Sequence, residues 1–220
     1  MDILTAIKNR HSVRDYTDKP IDAETIRKLK AEIDACNKES GLNIQLVTGE
    51  PKAFSGFMAH YGKFSGVRNY IALAGKKSPD FDEKSGYYGE RIALKAQTLG
   101  LNTCWAAMTF SKGAAKQALS IGAGEKFGCV LALGYGKTQG IPHKSKPLAN
   151  LFIADDGEIP EWFEKGIEAA ALAPTATNQQ KFIFILSKGV VTLKATGGFY
   201  SKVDLGIVKY HFEIGSGRKI

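Results

Sequence analysis

Apolar residues three and four positions apart open the chain: Ile3, Leu4 and Ile7 predict a short helix, which breaks into the polar stretch 10–15. Asp22 is placed to cap a second helix, whose inward positions Ile26, Leu29 and Ile33 keep the same period. Alternation then takes over. Residues 42–48 (LNIQLVT) read as a half-buried strand closed by Glu50-Pro51, and 69–74 (NYIALA) as a second, mostly apolar strand. A third helix is expected over 87–99, with Ile92, Ala96 and Leu99 on one face and Gly100 as its stop. Residues 129–133 read as a strand running into Gly134-Tyr135-Gly136, and 140–150 (GIPHKSKPLAN) as an ordered loop. Pro160 suits the first turn of a helix that turns Phe163, Ile167, Ala170 and Ala171 inward and stops at Ala173-Pro174. Residues 182–186 (FIFIL) read as a strand buried on both faces. A last helix over 202–214 carries Leu205, Val208 and Phe212 on one stripe, with Gly215 and Gly217 ending it.

The order helix, polar loop, strand and helix thus occurs twice. Segments 37–48 and 175–187 hold equivalent places, as do the helices at 87–101 and 201–215. Helix and strand blocks do not alternate strictly, so the pattern predicts an α+β fold over a doubly wound sheet. A length of 220 residues allows one substantial core, and 44% hydrophobic with 24% charged residues is an ordinary globular composition. No run approaches the roughly 18–20 apolar residues of a membrane helix, and the first 16 residues lack the apolar stretch of a secretory signal. A cytoplasmic protein without a membrane partner is therefore expected. Cys36, Cys104 and Cys129 lie among apolar neighbours and read as small buried hydrophobes, not as a disulfide framework or zinc site. His11, His60, His143 and His211 lack ligand spacing, so no metal is expected. The net charge of +8 raises the question of nucleic acid, but the lysines are spread along the chain with no dense basic run, and no nucleic-acid partner is expected.

Three segments are too polar or too oddly punctuated for plain core building. Arg10-His11-Ser12-Val13-Arg14 puts two guanidiniums, an imidazole and a hydroxyl within five residues, a grip suited to an anion, or else a solvated basic turn. Pro174-Thr175-Ala176-Thr177-Asn178-Gln179-Gln180 combines small residues with amides, which offer a flat heteroaromatic ring edge both donors and acceptors; a capped polar loop is the plainer reading. In Gly100 to Met108 a helix ends and small residues follow, so that Ala106-Ala107 can bring bare backbone N–H groups to a planar ligand.

Together these segments resemble the FMN-dependent nitroreductase family. Arg10-His11-Ser12-x-Arg14-x-Tyr16 matches its first motif, and Ala173-Pro174-Thr175-x-x-Asn178-x-Gln180 its second. Gly100 to Met108 matches the helix end and apolar turn, and Lys144-Ser145-Lys146 the basic triplet. The order is unusual: family members carry the second motif soon after the first arginines, where this chain has only Cys36-Asn37-Lys38-Glu39-Ser40. Relatives are intertwined homodimers with flavin at the interface. The resemblance therefore implies a fused, internally duplicated chain, one domain over 1–220 with a first half of about 1–150 and an abbreviated second half of about 151–220. It implies a mostly antiparallel central sheet flanked by helices in two pseudo-symmetric halves, and a monomer acting as a pseudo-dimer, with further dimerisation open.

Carried over residue by residue, the resemblance places Arg10, Ser12, Lys144 and Lys146 on the FMN phosphate and ribityl chain, and His11 and Arg14 on the ribityl or pyrimidine side. Pro174, Thr175, Ala176 and Asn178 are expected to line the isoalloxazine, Trp105, Ala106 and Ala107 to pass its edge, and Lys63 to approach a ring carbonyl. Many relatives carry a glutamate near N5 where this chain has Ala107 or Met108. The implied activity is ping-pong transfer from NADH or NADPH to a nitroaromatic, quinone or similar small acceptor, with the chemistry at flavin N5 and no catalytic side chain. An FMN-binding sensor or carrier without turnover is the alternative.

Overall fold

A computed structural model describes residues 1–155 and 157–220. In chain order its helices are α1 (Ile3–Asn9), α2 (Ala23–Ser40), α3 (Phe57–Tyr61), α4 (Phe81–Thr98), α5 (Lys112–Gln117), α6 (Glu161–Ala170) and α7 (Ser201–Ser216). The strands are β1 (Gln45–Val47), β2 (Asn69–Lys76), β3 (Asn102–Ala106), β4 (Glu125–Gly134), β5 (Phe152–Ala154), β6 (Phe182–Ser187) and β7 (Val190–Ala195). They gather into two compact units. The first comprises Met1, Arg10–Phe81 and Ile92–Ile141; the second comprises Asp2–Asn9, Asp82–Arg91 and Pro142–Ile220. Among the described residues no helix is long and apolar enough to cross a membrane.

The first unit is built on an antiparallel sheet of order β1-β2-β4-β3. Its central strands β2 and β4 bury Tyr70, Ala72, Val130 and Ala132 against Phe54, Phe64 and Phe110, with Phe54 and Phe64 edge to face at 4.9 Å. Asp22 caps α2 by accepting from Thr25 N at 2.9 Å, and Gly41 closes it at φ 72°, where a side chain would be strained. The Asn37 amide is spent on Ile44, accepting from its N–H at 2.7 Å and donating to its carbonyl at 2.9 Å. Cys36, Cys104 and Cys129 are buried and stand outside any disulfide among the described residues.

The second unit holds a sheet of order β5-β6-β7, parallel at its first pairing and antiparallel at its second. Helices α6 and α7 pack closely because glycine stands at the contact. A Cβ on Gly166 would lie 2.5 Å from the Phe212 ring, and one on Gly215 2.5 Å from Lys165 O. The α4 segment crosses α7 more tightly still: a Cβ on Gly206 would lie 2.0 Å from Glu83 O, and one on Gly86 2.0 Å from Val203 O. Phe184 stacks on Phe212 at 4.5 Å, joining sheet to helices.

Several sequence expectations need correction. Helix α4 starts at Phe81, not Tyr87, because its polar first turns hide the helical period while Ser85 is buried. β1 is confined to Gln45–Val47, while β2 and β4 run past the expected 69–74 and 129–133. Strand β6 is not buried on both faces: Phe182, Phe184 and Leu186 are buried, whereas Ile183 and Ile185 are half-buried. Pro160 caps α6 from outside, with extended ψ 140°. Gly215 lies inside α7, where it allows close packing; Gly217, at φ 68°, ends the helix. Nor is α7 buried along one stripe. Val203, Asp204, Ile207, Val208, Tyr210, His211 and Phe212 are all buried, which spreads its contacts around the axis.

Candidate functional site

Following α1, residues 10–17 run as an extended segment laced to its neighbours by backbone bonds. Val13 N donates to Thr103 O at 3.1 Å, Tyr16 N to Ser65 O at 3.0 Å and Thr17 N to Tyr135 O at 2.8 Å. The Ser12–Thr103 bridge is parallel, and β3 is the last strand of its sheet, so the segment lies along that strand's outer edge. Extended backbone alternates its sides: Val13 is buried while Arg14 is exposed. Tyr16 is a deep anchor, donating to Ala132 O at 3.3 Å, and burial pushes its phenol well up from the ordinary range.

Arg10, Ser12 and Arg14 all bear on one buried group, the Cys104 thiol. Burial pushes that thiol up, while the two guanidiniums and a Ser12 hydrogen bond pull the other way. Arg10 is itself only 3% exposed, a charge kept at the base of the cluster, and Arg14 stands 5.9 Å over the Phe64 ring. His11 is half-buried beside Gly140, where a Cβ would come within 2.8 Å of the His11 Cβ. Trp105 and Ala107 are half-buried, Ala106 is buried in β3, and Met108 is 59% exposed. Lys63 is exposed and left-handed at φ 59°, just past α3. A cleft of about 320 Å³ in the first unit is lined instead by Tyr16, Thr17, Asp18, Arg68 and Asn69 among others, and none of the FMN contacts expected from sequence lines it.

In the second unit the basic triplet and the Ala-Pro-Thr loop are brought together, and Gln180 is the hub. Its amide donates to Lys144 O at 2.9 Å and to Asn178 Oδ1 at 3.0 Å, and its Oε1 accepts from Lys146 N at 2.8 Å. Lys146 Nζ donates to Gln180 O at 2.7 Å, and Asn178 Nδ2 to Lys144 O at 2.9 Å. Thr175 Oγ1 accepts from Gln180 N at 3.0 Å. The Asn178 amide is therefore committed to the loop's own scaffold, while Pro174, Thr175 and Ala176 are half-buried and Lys144 is exposed. Thr177, Asn178 and Gln180 all take left-handed backbone, at φ 49°, 56° and 45°. For residues with a Cβ such conformations cost on the order of 1–3 kcal/mol each and persist only where the surroundings fix them.

Sequence reasoning missed Asp204, which supplies part of that fixing. It is 5% exposed, in the first turn of α7, and accepts from Ala176 N at 2.9 Å and from Gln179 Nε2 at 2.7 Å. Burial pushes its carboxyl up to about 6, against the pull of those two donors. A lone carboxylate in the apolar run Val203-Asp204-Leu205-Gly206-Ile207-Val208 was the signal that could have found it. Cys104 was read as plain core, which its burial supports, and Arg10, Ser12 and Arg14 also bear on its thiol.

As a donor set, two guanidiniums and a hydroxyl on one edge fit a phosphate, and the small half-buried residues 174–176 fit the approach of a flat ring.

A family model described as "Putative TM nitroreductase" matches residues 2–216. No curated protein matches the chain. Among solved structures, a "putative nitroreductase" of Thermotoga maritima is 24% identical with a TM-score of 0.67, over 98% of this chain and 83% of its own. A Desulfovibrio desulfuricans protein described in the same words, in complex with FMN, is 22% identical with a TM-score of 0.55, over 73% of this chain and 99% of its own. An FMN-dependent nitroreductase of Clostridium difficile is 18% identical with a TM-score of 0.50, over 60% and 87%. At these identities the likeness is one of fold.

Proposed function

The chain belongs to the nitroreductase family, and from that premise we propose that it is an FMN-dependent oxidoreductase. On this reading it passes reducing equivalents from NADH or NADPH to a small acceptor such as a nitroaromatic or quinone. The observation that carries the reading is the segment of Arg10, Ser12 and Arg14 laid along the outer edge of β3, with Ser12 bridged to Thr103 and Val13 N donating to Thr103 O. A similar fold is seen in complex with FMN in the Desulfovibrio protein.

Bound FMN supplies the hydride chemistry, accepting from the nicotinamide and donating to the acceptor. The chain's own residues bind and orient. Arg10, Ser12 and Arg14, with Lys144 and Lys146, hold the phosphate and ribityl chain, and His11 adds a ribityl or pyrimidine contact. Lys146 keeps two ammonium protons for this beyond the one given to Gln180 O. Pro174, Thr175, Ala176 and Asn178 line the ring; Trp105, Ala106 and Ala107 pass its edge. Arg14 or Lys63 would supply positive charge on the pyrimidine side, which would ease the reduction that the cofactor undergoes. No side chain acts as a nucleophile.

We also take the chain as a fused, internally duplicated relative that works as a monomer. The commitment of the Asn37 amide to Ile44, at the early counterpart of the intact motif, supports this. Three buried cysteines outside any disulfide suit a reducing compartment such as the cytoplasm.

An anaerobic titration of FMN-reconstituted protein with NADH and NADPH tests the activity. Bleaching of the flavin band, recovered on adding a quinone or nitroaromatic, is expected. Tight FMN binding without bleaching by either donor would point to a sensor or carrier, and failure to bind FMN removes the reading altogether.

A further inference from the structure

The loop 175–180 holds three left-handed non-glycine residues, and something must keep it there. From one side it is tied to 144–146 through Gln180. From the other the ties converge on a single carboxylate, with Asp204 Oδ1 on Ala176 N and Oδ2 on Gln179 Nε2. Gln179 Nε2 also donates to Phe199 O at 2.9 Å, so its amide faces two acceptors and its orientation is set. Gly198 leaves room for it, since a Cβ there would come within 2.2 Å of Gln179 Oε1.

We propose that Asp204 is a positioning residue: its ionised carboxylate holds loop 175–180 in the shape that presents residues 174–178 to a flavin. The proposal rests on the FMN reading above. It goes beyond the motif, since Asp204 lies outside every segment that carries the resemblance and reaches the ligand only through the loop. The dependence on charge follows from the bonding. An ionised carboxylate accepts at both oxygens, whereas a protonated one carries a hydroxyl on one of them, and a hydroxyl facing the Gln179 NH2 sets donor against donor. Gln179 must then turn its amide, and the turned amide gives up Phe199 O.

No ionisable side chain on the packed loops competes for this role: 175–180 and 196–199 contain none. The groups on the remaining neighbours are Asp82, Glu83, Lys84 and Tyr87 of α4, with Tyr200 and Lys202 beside Asp204 in the chain. Burial pushes Asp204 up to about 6, which puts the change of charge within an accessible pH range.

The test uses the full-length protein with two readouts. The first is hydrogen-exchange protection of the Ala176 amide without FMN. Protection is expected to be high at pH 8, to fall at least tenfold as pH drops through about 6, and to be low at every pH in Asp204→Asn. The second is FMN affinity at pH 8, read by flavin fluorescence. Asp204→Asn is expected to weaken it at least tenfold, and the double variant Asp204→Asn with Gln179→Glu, which restores a donor–acceptor pair, to recover part of the loss. The wild-type protection profile alone decides the matter if the variant fails to fold, a flat profile overturning the proposal. FMN binding within twofold of wild type in Asp204→Asn, with Ala176 still protected, overturns the positioning role and leaves the FMN reading intact. A wild-type protein that binds no FMN at any pH overturns both.

Discussion

His211 Nε2 stands 3.0 Å from Glu90 Oε1, and both side chains are fully closed to solvent. The other ring nitrogen, Nδ1, stands 3.0 Å from Ala169 O. A neutral imidazole donates from only one nitrogen, so a ring between two acceptors requires one further proton, on the ring or on Glu90. The pair ties α4, α6 and α7 together at one buried point.

Replacing His211 with Leu removes the imidazole from a buried glutamate and should cost about 3–5 kcal/mol of stability. Replacing Glu90 with Met as well should recover most of that loss, because a buried pair contributes little beyond what an apolar pair can. Urea unfolding of the two variants distinguishes these outcomes. A single variant as stable as wild type would show that the glutamate is satisfied elsewhere.

Gly206→Ala should be severely disruptive. Its Cβ would lie 2.0 Å from Glu83 O, so two helix backbones must part, at a cost of about 3 kcal/mol or more. Gly113→Ala in α5 is the control. Nothing lies within 4 Å of its Cβ, and a gain of about 0.5–1 kcal/mol is expected. Thermal melts of the two variants should move in opposite directions.

Arg14 separates binding from folding. It is exposed, with its guanidinium 5.9 Å over the Phe64 ring. Arg14→Gln should leave the melting temperature nearly unchanged and weaken FMN roughly 10- to 100-fold, the value of one charge-assisted hydrogen bond. An unchanged FMN affinity would remove Arg14 from the proposed site.

Asp204 should leave a signature in stability as well. Its folded carboxyl titrates at about 6, above the roughly 3.9 of an unfolded aspartate. A raised carboxyl contributes stability that is full below the unfolded value and lost as pH rises through the folded one. The wild type should therefore gain on Asp204→Asn as pH falls from 7.5 towards 4, by something on the order of 3 kcal/mol. Paired denaturant curves across that range would test it, and a constant difference would mean that the Asp204 carboxyl titrates in the fold as it does in the unfolded chain. Above pH 6 the ionised carboxylate is thus maintained against stability, as expected of a group kept for what it does to the loop.

What could be read from sequence follows the visibility of its apolar period. Helix α2 and the strands β2 and β4 carry runs whose faces are plain, and the cap at Asp22 lies where the sequence places it. β3 was missed because it begins with buried Asn102 and Thr103. The Asn102 side chain is satisfied by partners distant in the chain, accepting from Gly136 N at 2.9 Å and donating to Gln139 Oε1 at 3.0 Å. β7 was missed for the opposite reason: no residue from Val190 to Ala195 is buried, so its alternation is faint. The site divides similarly. Arg10, Ser12 and Arg14 cluster in the chain and in space. The partners of loop 175–180 lie at 144–146 and at Asp204, and only folding brings them in.

The second unit draws on both early and late parts of the chain, since α1 packs against α6 and α7. On the ribosome, α1 is made some 150–200 residues before the partners it packs on. At about 5–20 residues per second the interval between them is roughly 10–40 s. Throughout that time the side chains of Ala6 and Ile7, buried in the finished protein, lack the α6 and α7 surface that α1 packs on. The first unit, whose last strand ends at Gly134, can pair its whole sheet before α6 and α7 exist. Vectorial synthesis therefore favours an order in which the sheet of the first unit forms before α1 docks on α6 and α7.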